Sequence, residues 1–296
     1  MPSDACALGT MSAEAFFLPA ENGQRFCIYH PATKAPGVAS RGQVVYVHPL
    51  TEEMNKSRRM AALQARALAQ AGFDVLQLDL LGCGDSSGDF GDATWAAWIA
   101  DVVSACRWLR ERTDARTPHR PRPPLWLWGL RAGCLLAAQA AQSMQEPCHF
   151  LFWAPAPAGR LLLQQFMRLK AAADLASGNA KAVMDSLRTD LAQGRPVEIA
   201  GYLLAPNLAK ALEQTSLAPP PIDPLASRVE WLELSTREDA SLTPAATKII
   251  GDWQRAGYAV RSHVVNGPAF WQTTEIEDAP ALVTATTAAL MEASAS

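Results

Sequence analysis

Gly129, Arg131 and Gly133 stand at the spacing of a sharp strand-to-helix turn of the kind that lifts one side chain clear of a sheet for nucleophilic attack. Such a turn leaves no room for side chains two residues either side of its centre, which accounts for both glycines. Acyl hydrolysis at the centre needs a hydroxyl or thiol, then an acid, then a histidine base in chain order. Arg131 cannot be the nucleophile. A guanidinium stays protonated and has no lone pair to offer. The acid is expected after the apolar run 229–234, where Glu238 and Asp239 supply carboxylates. The base is expected after the last strand, where Gly267-Pro268-Ala269 puts Pro268 in the histidine's place. Two of the three roles are therefore vacant.

At the start of a helix, Arg131 adds a bidentate fork to a terminus that already favours anions. One reading makes it the anchor of an anion pocket; the other pairs it with a protein carboxylate, Glu52, Glu53, Glu238 or Asp239, and closes the site. A buried arginine with neither partner costs too much. His48 ends the first core strand beside Pro49, where it faces the pocket as a ligand-binding or packing side chain or as a base. Between that strand and its helix, Glu53, Asn55 and Arg58 are candidate contacts for a polar ligand, joined by Pro49, Leu130 and Trp271; the same stretch also reads as a helix start capped by Ser57. An enzyme on this frame needs another nucleophile, Cys134, Cys83 or Ser86, or water activated by His48 and Glu53. His30, His119, His149 and His263 read as structural or solvated.

The elements that position these residues follow from apolar patterning. Buried strands are expected at 25–29, 43–48, 73–79, 125–128, 148–153, 229–234 and 259–265, with helices from Ser57 to Gly72, then at 94–112, 132–145, 244–256 and 278–293. Strand alternating with helix predicts an α/β fold with a mostly parallel sheet covered on both faces and its functional residues at the strand ends. Residues 156–227 break the rhythm with helices near 161–176 and 180–192 and end in three prolines, as a helical lid inserted into a core of 25–155 and 228–296; residues 1–24 are read as an N-terminal extension.

Composition bounds the function classes. The 296 residues are 49% hydrophobic and 19% charged with a net charge of −3, and no basic stripe or aromatic–basic interleaving points to nucleic acid. Six cysteines stand singly, so no disulfide framework, metal cluster or cofactor is expected. Without a signal segment or a membrane-spanning run, a cytoplasmic protein is expected, starting at Met1 or Met11.

Pro49 with Glu52-Glu53-Met54-Asn55-Lys56-Ser57-Arg58-Arg59, then Gly129-Leu130-Arg131, then Gly267-Pro268-Ala269-Phe270-Trp271-Gln272-Thr273-Thr274-Glu275-Ile276, resembles the second type of hydrolase-like protein associated with the exosortase A system. That resemblance, from Met11 onward, implies an α/β-hydrolase fold in a protein-sorting and exopolysaccharide setting. It implies no particular substrate. The leading expectation is a degenerate hydrolase binding an anionic, acyl or glycan ligand or a partner protein; a working hydrolase or acyltransferase and a pure scaffold are the rivals.

Overall fold

The computed structural model describes residues 12–35, 38–116, 121–173, 180–221 and 227–293; Cys6, Met11 and His119 lie outside them. In chain order come β1 (Glu14–Ala20), β2 (Gly23–His30), β3 (Gly42–Val47), α1 (Thr51–Gln70), β4 (Phe73–Leu78), α2 (Trp95–Arg116), β5 (Leu125–Leu130), α3 (Ala132–Met144) and β6 (His149–Trp153). The interruption carries α4 (Gly159–Ala173), α5 (Ala180–Ala192), β7 (Val197–Ile199), β8 (Tyr202–Leu204) and α6 (Pro206–Gln214). The alternation resumes with β9 (Arg228–Ser235), α7 (Pro244–Arg255), β10 (Ala259–Asn266) and α8 (Pro280–Ala293).

One sheet runs in the order β1-β2-β4-β3-β5-β6-β9-β10. β2 pairs antiparallel with both β1 and β4; every other neighbour is parallel. Central strands of such a sheet have no solvent face, and every residue of β3 and β5 is accordingly buried. The two faces carry separate cores. α2, α3 and α7 cover Leu127, Phe150 and Phe152 on one side, while α1 and α8 cover Val44, Trp126, Trp128 and Trp153 on the other. Trp128 meets Trp153 edge-on at 4.7 Å, and the Trp153 indole N–H donates to Thr286 Oγ1 of α8 at 2.9 Å, so this ring keeps its one polar group satisfied while the buried Trp128 N–H makes no hydrogen bond.

Three expectations are corrected. The supposed N-terminal extension contains β1, whose exposure alternates while its sequence, with Phe16, Phe17 and Leu18 in a row, hides that period; Asn22-Gly23, a strong hairpin signal, marks the turn into β2. The insertion holds a two-stranded hairpin, β7–β8, as well as helices. Helix α1 begins at Thr51, six residues before Ser57, whose hydroxyl donates to the Glu53 carbonyl at 2.6 Å inside the helix and caps nothing. The two acids of the first turn, Glu52 and Glu53, are the start signal that favours the helix dipole.

Close approach of α3 to the sheet needs its glycine. A Cβ on Gly133 would lie 2.0 Å from the Val47 carbonyl oxygen, and one on Gly129 2.5 Å from the Cys134 nitrogen. Gly133→Ala should therefore cost about 3 kcal/mol or more in urea unfolding; a stability within about 0.5 kcal/mol of the native chain would show that β3 and α3 can move apart freely.

Candidate functional site

The neighbouring strands β3, β5 and β6 are each followed by a non-glycine residue in the left-handed region: Thr51 at φ 46°, Arg131 at 54° and Ala154 at 41°. Each such residue stores roughly 1–3 kcal/mol and persists only where its surroundings hold it. Here they do. The Arg131 N–H donates to the Trp153 carbonyl at 3.1 Å, the Ala154 N–H to Leu232 at 2.8 Å, and the Arg131 carbonyl accepts from the Cys134 N–H at 3.2 Å. The turn expected at Gly129–Gly133 is present, with Arg131 (ψ −111°) at its tip between strand and helix.

The Arg131 side chain is mostly buried. Its Nε donates to Glu53 Oε1 at 3.3 Å, Nη2 donates to Gln165 Oε1 of α4 at 2.7 Å, and its guanidinium carbon lies 5.6 Å from the centroid of the Trp271 ring. Burial pushes the Glu53 carboxyl up from 4.5 to about 7, against the pull of Arg131 and of the nearby Gln272 side chain. Glu53 Oε2 and the Trp271 indole nitrogen are both buried without a well-formed hydrogen bond, the Gln272 side chain being the polar neighbour of Glu53 besides Arg131. A second carboxyl, Glu233 of β9, is also raised by burial, held back by the Trp231 indole, which donates to it at 2.9 Å, and by the Arg131 charge. Beside this cluster opens a cleft of about 380 Å³ lined by Leu50, Thr51, Glu52, Glu53, Lys56, Leu162, Gln165, Phe166, Arg168, Leu169, Trp271 and Gln272. Five of these twelve side chains are apolar and seven polar, with Lys56 and Arg168 as cations. Among the described residues, no group of three or more His, Cys, Asp or Glu is placed to hold a metal ion, and no helix is long and apolar enough to cross a membrane.

A parallel sheet with a strained strand-to-helix turn at its centre is the frame of α/β hydrolases. Residues 38–211, more than half of the chain, match the family Serine aminopeptidase, S33. The chain belongs to that family. Human Protein ABHD12B is 26% identical over 146 residues, covering 44% of this chain and 37% of that protein, little more than a third of the relative's length. Est1E from Butyrivibrio proteoclasticus, solved with ferulic acid bound, superposes with a TM-score of 0.61 at 12% identity over 95% of this chain and all of that one. A thermostable carboxyl esterase from Bacillus coagulans gives 0.57 at 14% identity over 95% and 97% of the two chains. The fold is thus the α/β-hydrolase fold.

Within this S33 chain the side chains expected to act are scattered more widely than the sequence reading has them. His48 turns into the sheet: its Nδ1 bonds the Pro49 carbonyl at 2.7 Å and its Nε2 accepts from the Leu80 N–H at 3.2 Å, so backbone occupies both nitrogens and burial lowers the imidazole's proton affinity. Glu238 and Asp239 are solvent-exposed, with Asp239 3.4 Å from Arg237 of the same loop. The helical period of α1 separates the polar trio that the sequence groups together. Glu53 faces Arg131, whereas Asn55 donates to the Tyr202 hydroxyl at 3.1 Å and Arg58 to Asp79 at 3.0 Å. Arg58 lines a different cavity of about 220 Å³ with His48, Tyr46 and Asp79. Lys56, three residues after Glu53, shares its face of the helix instead. Leu130 and Pro49 are buried, and Trp271 stands on the cleft wall.

The rival nucleophiles Cys83, Cys134 and Ser86 are all buried. Burial pushes the Cys83 thiol to about 12 and Cys134 well above 9, while the Ser86 hydroxyl donates to the Asp79 carbonyl at 2.6 Å and accepts from the Phe26 N–H. His149 accepts from the Arg228 N–H, His263 meets the buried Glu230 at 3.1 Å, and His30 meets Gln77 at 3.0 Å, each away from the cleft. Gln165, Glu233 and Gln272 were not foreseen, since each acquires meaning only from what the fold sets beside it.

Glu53 holds its proton to about pH 7 when folded and releases it near 4.5 when unfolded. Its contribution to stability is therefore lost as pH rises through that window. Arg131→Met removes a charge that holds this carboxyl down, so its midpoint should move above 7. Carbon-13 shifts of the Glu53 carboxyl read this between about pH 5 and 9; an unchanged midpoint would mean that the two groups do not couple.

Proposed function

We propose that this chain is a non-catalytic member of its family, a binding protein whose strand-end cleft takes an anionic acyl or glycan ligand beneath a lid formed by residues 156–227. The observation that carries the reading is the chemistry at the tip of the turn. A working hydrolase has a free nucleophile there, with a histidine in reach; this chain has a guanidinium held by Glu53 and Gln165, and Pro268 where the base belongs. The pairing with Glu53 fills the nucleophile's place without filling the cleft, which stays open with Trp271 on one wall and Lys56 and Arg168 among its side chains. An aromatic wall with amide and cationic groups suits a sugar acid or an apolar carboxylate. The exosortase and exopolysaccharide setting implied by the sequence resemblance supports the glycan side of that class. A pure scaffold does not account for the open cleft.

One observation favours an enzyme. A carboxyl that titrates near neutrality in a cleft is poised as a general base, and Glu53 is such a group. His48, with both nitrogens engaged by backbone, has no part in that scheme.

Turnover of short- and medium-chain acyl esters separates the two. The purified chain should show none above the blank, and Arg131→Ser should show none either, because the base is missing as well. Calorimetry of the same protein with octanoate, ferulate and glucuronate should show saturable binding that Trp271→Ala weakens. Ester turnover that Glu53→Gln abolishes would replace the binding reading with the enzymatic one.

A further inference from the structure

The partners of Arg131 are poorly matched to it. Its contact with Glu53 is a single long bond from Nε at 3.3 Å, one carboxylate oxygen where a guanidinium readily takes two. The other oxygen, Glu53 Oε2, is buried with no well-formed hydrogen bond, although the Gln272 side chain lies close enough to favour the ionised carboxyl, and the buried indole N–H of Trp271 makes no hydrogen bond. A site that leaves an unused acceptor and an unused donor beside one guanidinium, next to an open cleft, is incomplete as a structural ion pair. It is complete with one more carboxylate. That group would accept hydrogen bonds from Arg131 and, when Glu53 is neutral, from the Glu53 O–H, with the unpartnered Trp271 indole on the same cleft wall.

We propose that the Glu53 carboxylate stands in for the ligand: a carboxylate-bearing ligand entering the cleft takes its place on Arg131, and Glu53 takes up one proton from solvent and donates it in a hydrogen bond to the incoming carboxylate. No covalent bond changes; one solvent proton moves onto Glu53 for each ligand bound. This rests on the binding reading above and names its ligand chemistry. The charges that bear on Glu53 are Arg131 at the start of α3 and Glu52 on its own helix; Lys56 of the same helix and Arg168 of α4 share the cleft lining, and Glu233 of β9 lies within the field of Arg131. The incoming carboxylate neutralises the cation that favours ionised Glu53 and adds a negative charge, and both raise its proton affinity further. The burial that already brings this carboxyl to about 7 lets the exchange happen near neutral pH.

The test is calorimetry of the native chain with ferulate in buffers of different ionisation enthalpy, from about pH 6 to 9. Below about pH 7 Glu53 already carries its proton, so the dissociation constant should be level. Above it, each ligand should bring in one proton and affinity should weaken by up to roughly tenfold per pH unit. Glu53→Gln has no competitor and no proton to gain, so it should bind without pH dependence and more tightly than the native chain at pH 8. Ferulate or octanoate binding without proton uptake, or with the same pH slope in Glu53→Gln, overturns the exchange and leaves the binding reading standing. Absence of binding by both proteins to every carboxylate in the panel defeats the binding reading, and the exchange with it.

Discussion

A positive charge placed at the tip of a strained turn has to be neutralised from somewhere, and the local chain cannot do it. The nearest residues in sequence, Leu130 and Ala132, are apolar and fully buried. Its partners come from elements distant in sequence: α1 supplies the Glu53 carboxyl, α4 the neutral amide oxygen of Gln165, and β9 brings the Glu233 carboxyl into the field of the guanidinium. Trp271, which follows β10, closes the ring as an aromatic neighbour. The site is therefore a convergence of the sheet's two halves and the insertion on one cation, and each contributor depends on the others being folded.

The backbone that presents Arg131 is the same device that presents a nucleophile in enzymes of this fold. Its demands are steric: glycine two residues before and after the tip, a helix start pressed against the neighbouring strand, and a ladder continued by Arg131 and Ala154 onto β6 and β9. None of these requires a hydroxyl. The same geometry forms here with an arginine at its tip, so fold similarity alone leaves the activity open.

Much of the frame was legible in the sequence because buried parallel strands are nearly uninterrupted apolar runs. Leu125-Trp126-Leu127-Trp128 and His149–Trp153 are legible for that reason, and Gly129 and Gly133 identify the turn between β5 and α3. The start of α1 was less legible: Ser57 competes with Thr51 as a helix start, and that choice rotates the helix, sending Asn55 and Arg58 away from the cleft that Glu53 faces. Glu53 stood among four carboxylates able to meet Arg131, and only the fold chooses between them. Gln165 was illegible. A glutamine on an amphipathic helix is ordinary until the helix is laid over a buried guanidinium.

That last contact joins two parts of the molecule that the chain keeps far apart. Gln165 rides on α4, and α4 packs on α5 and α6 within the insertion more than on the sheet. Its 2.7 Å bond to Arg131 is shorter than the 3.3 Å contact from Glu53. Any displacement of α4 beyond hydrogen-bond reach severs it and leaves the guanidinium with one partner fewer, so the position of the roof and the hunger of the floor for an anion are mechanically linked.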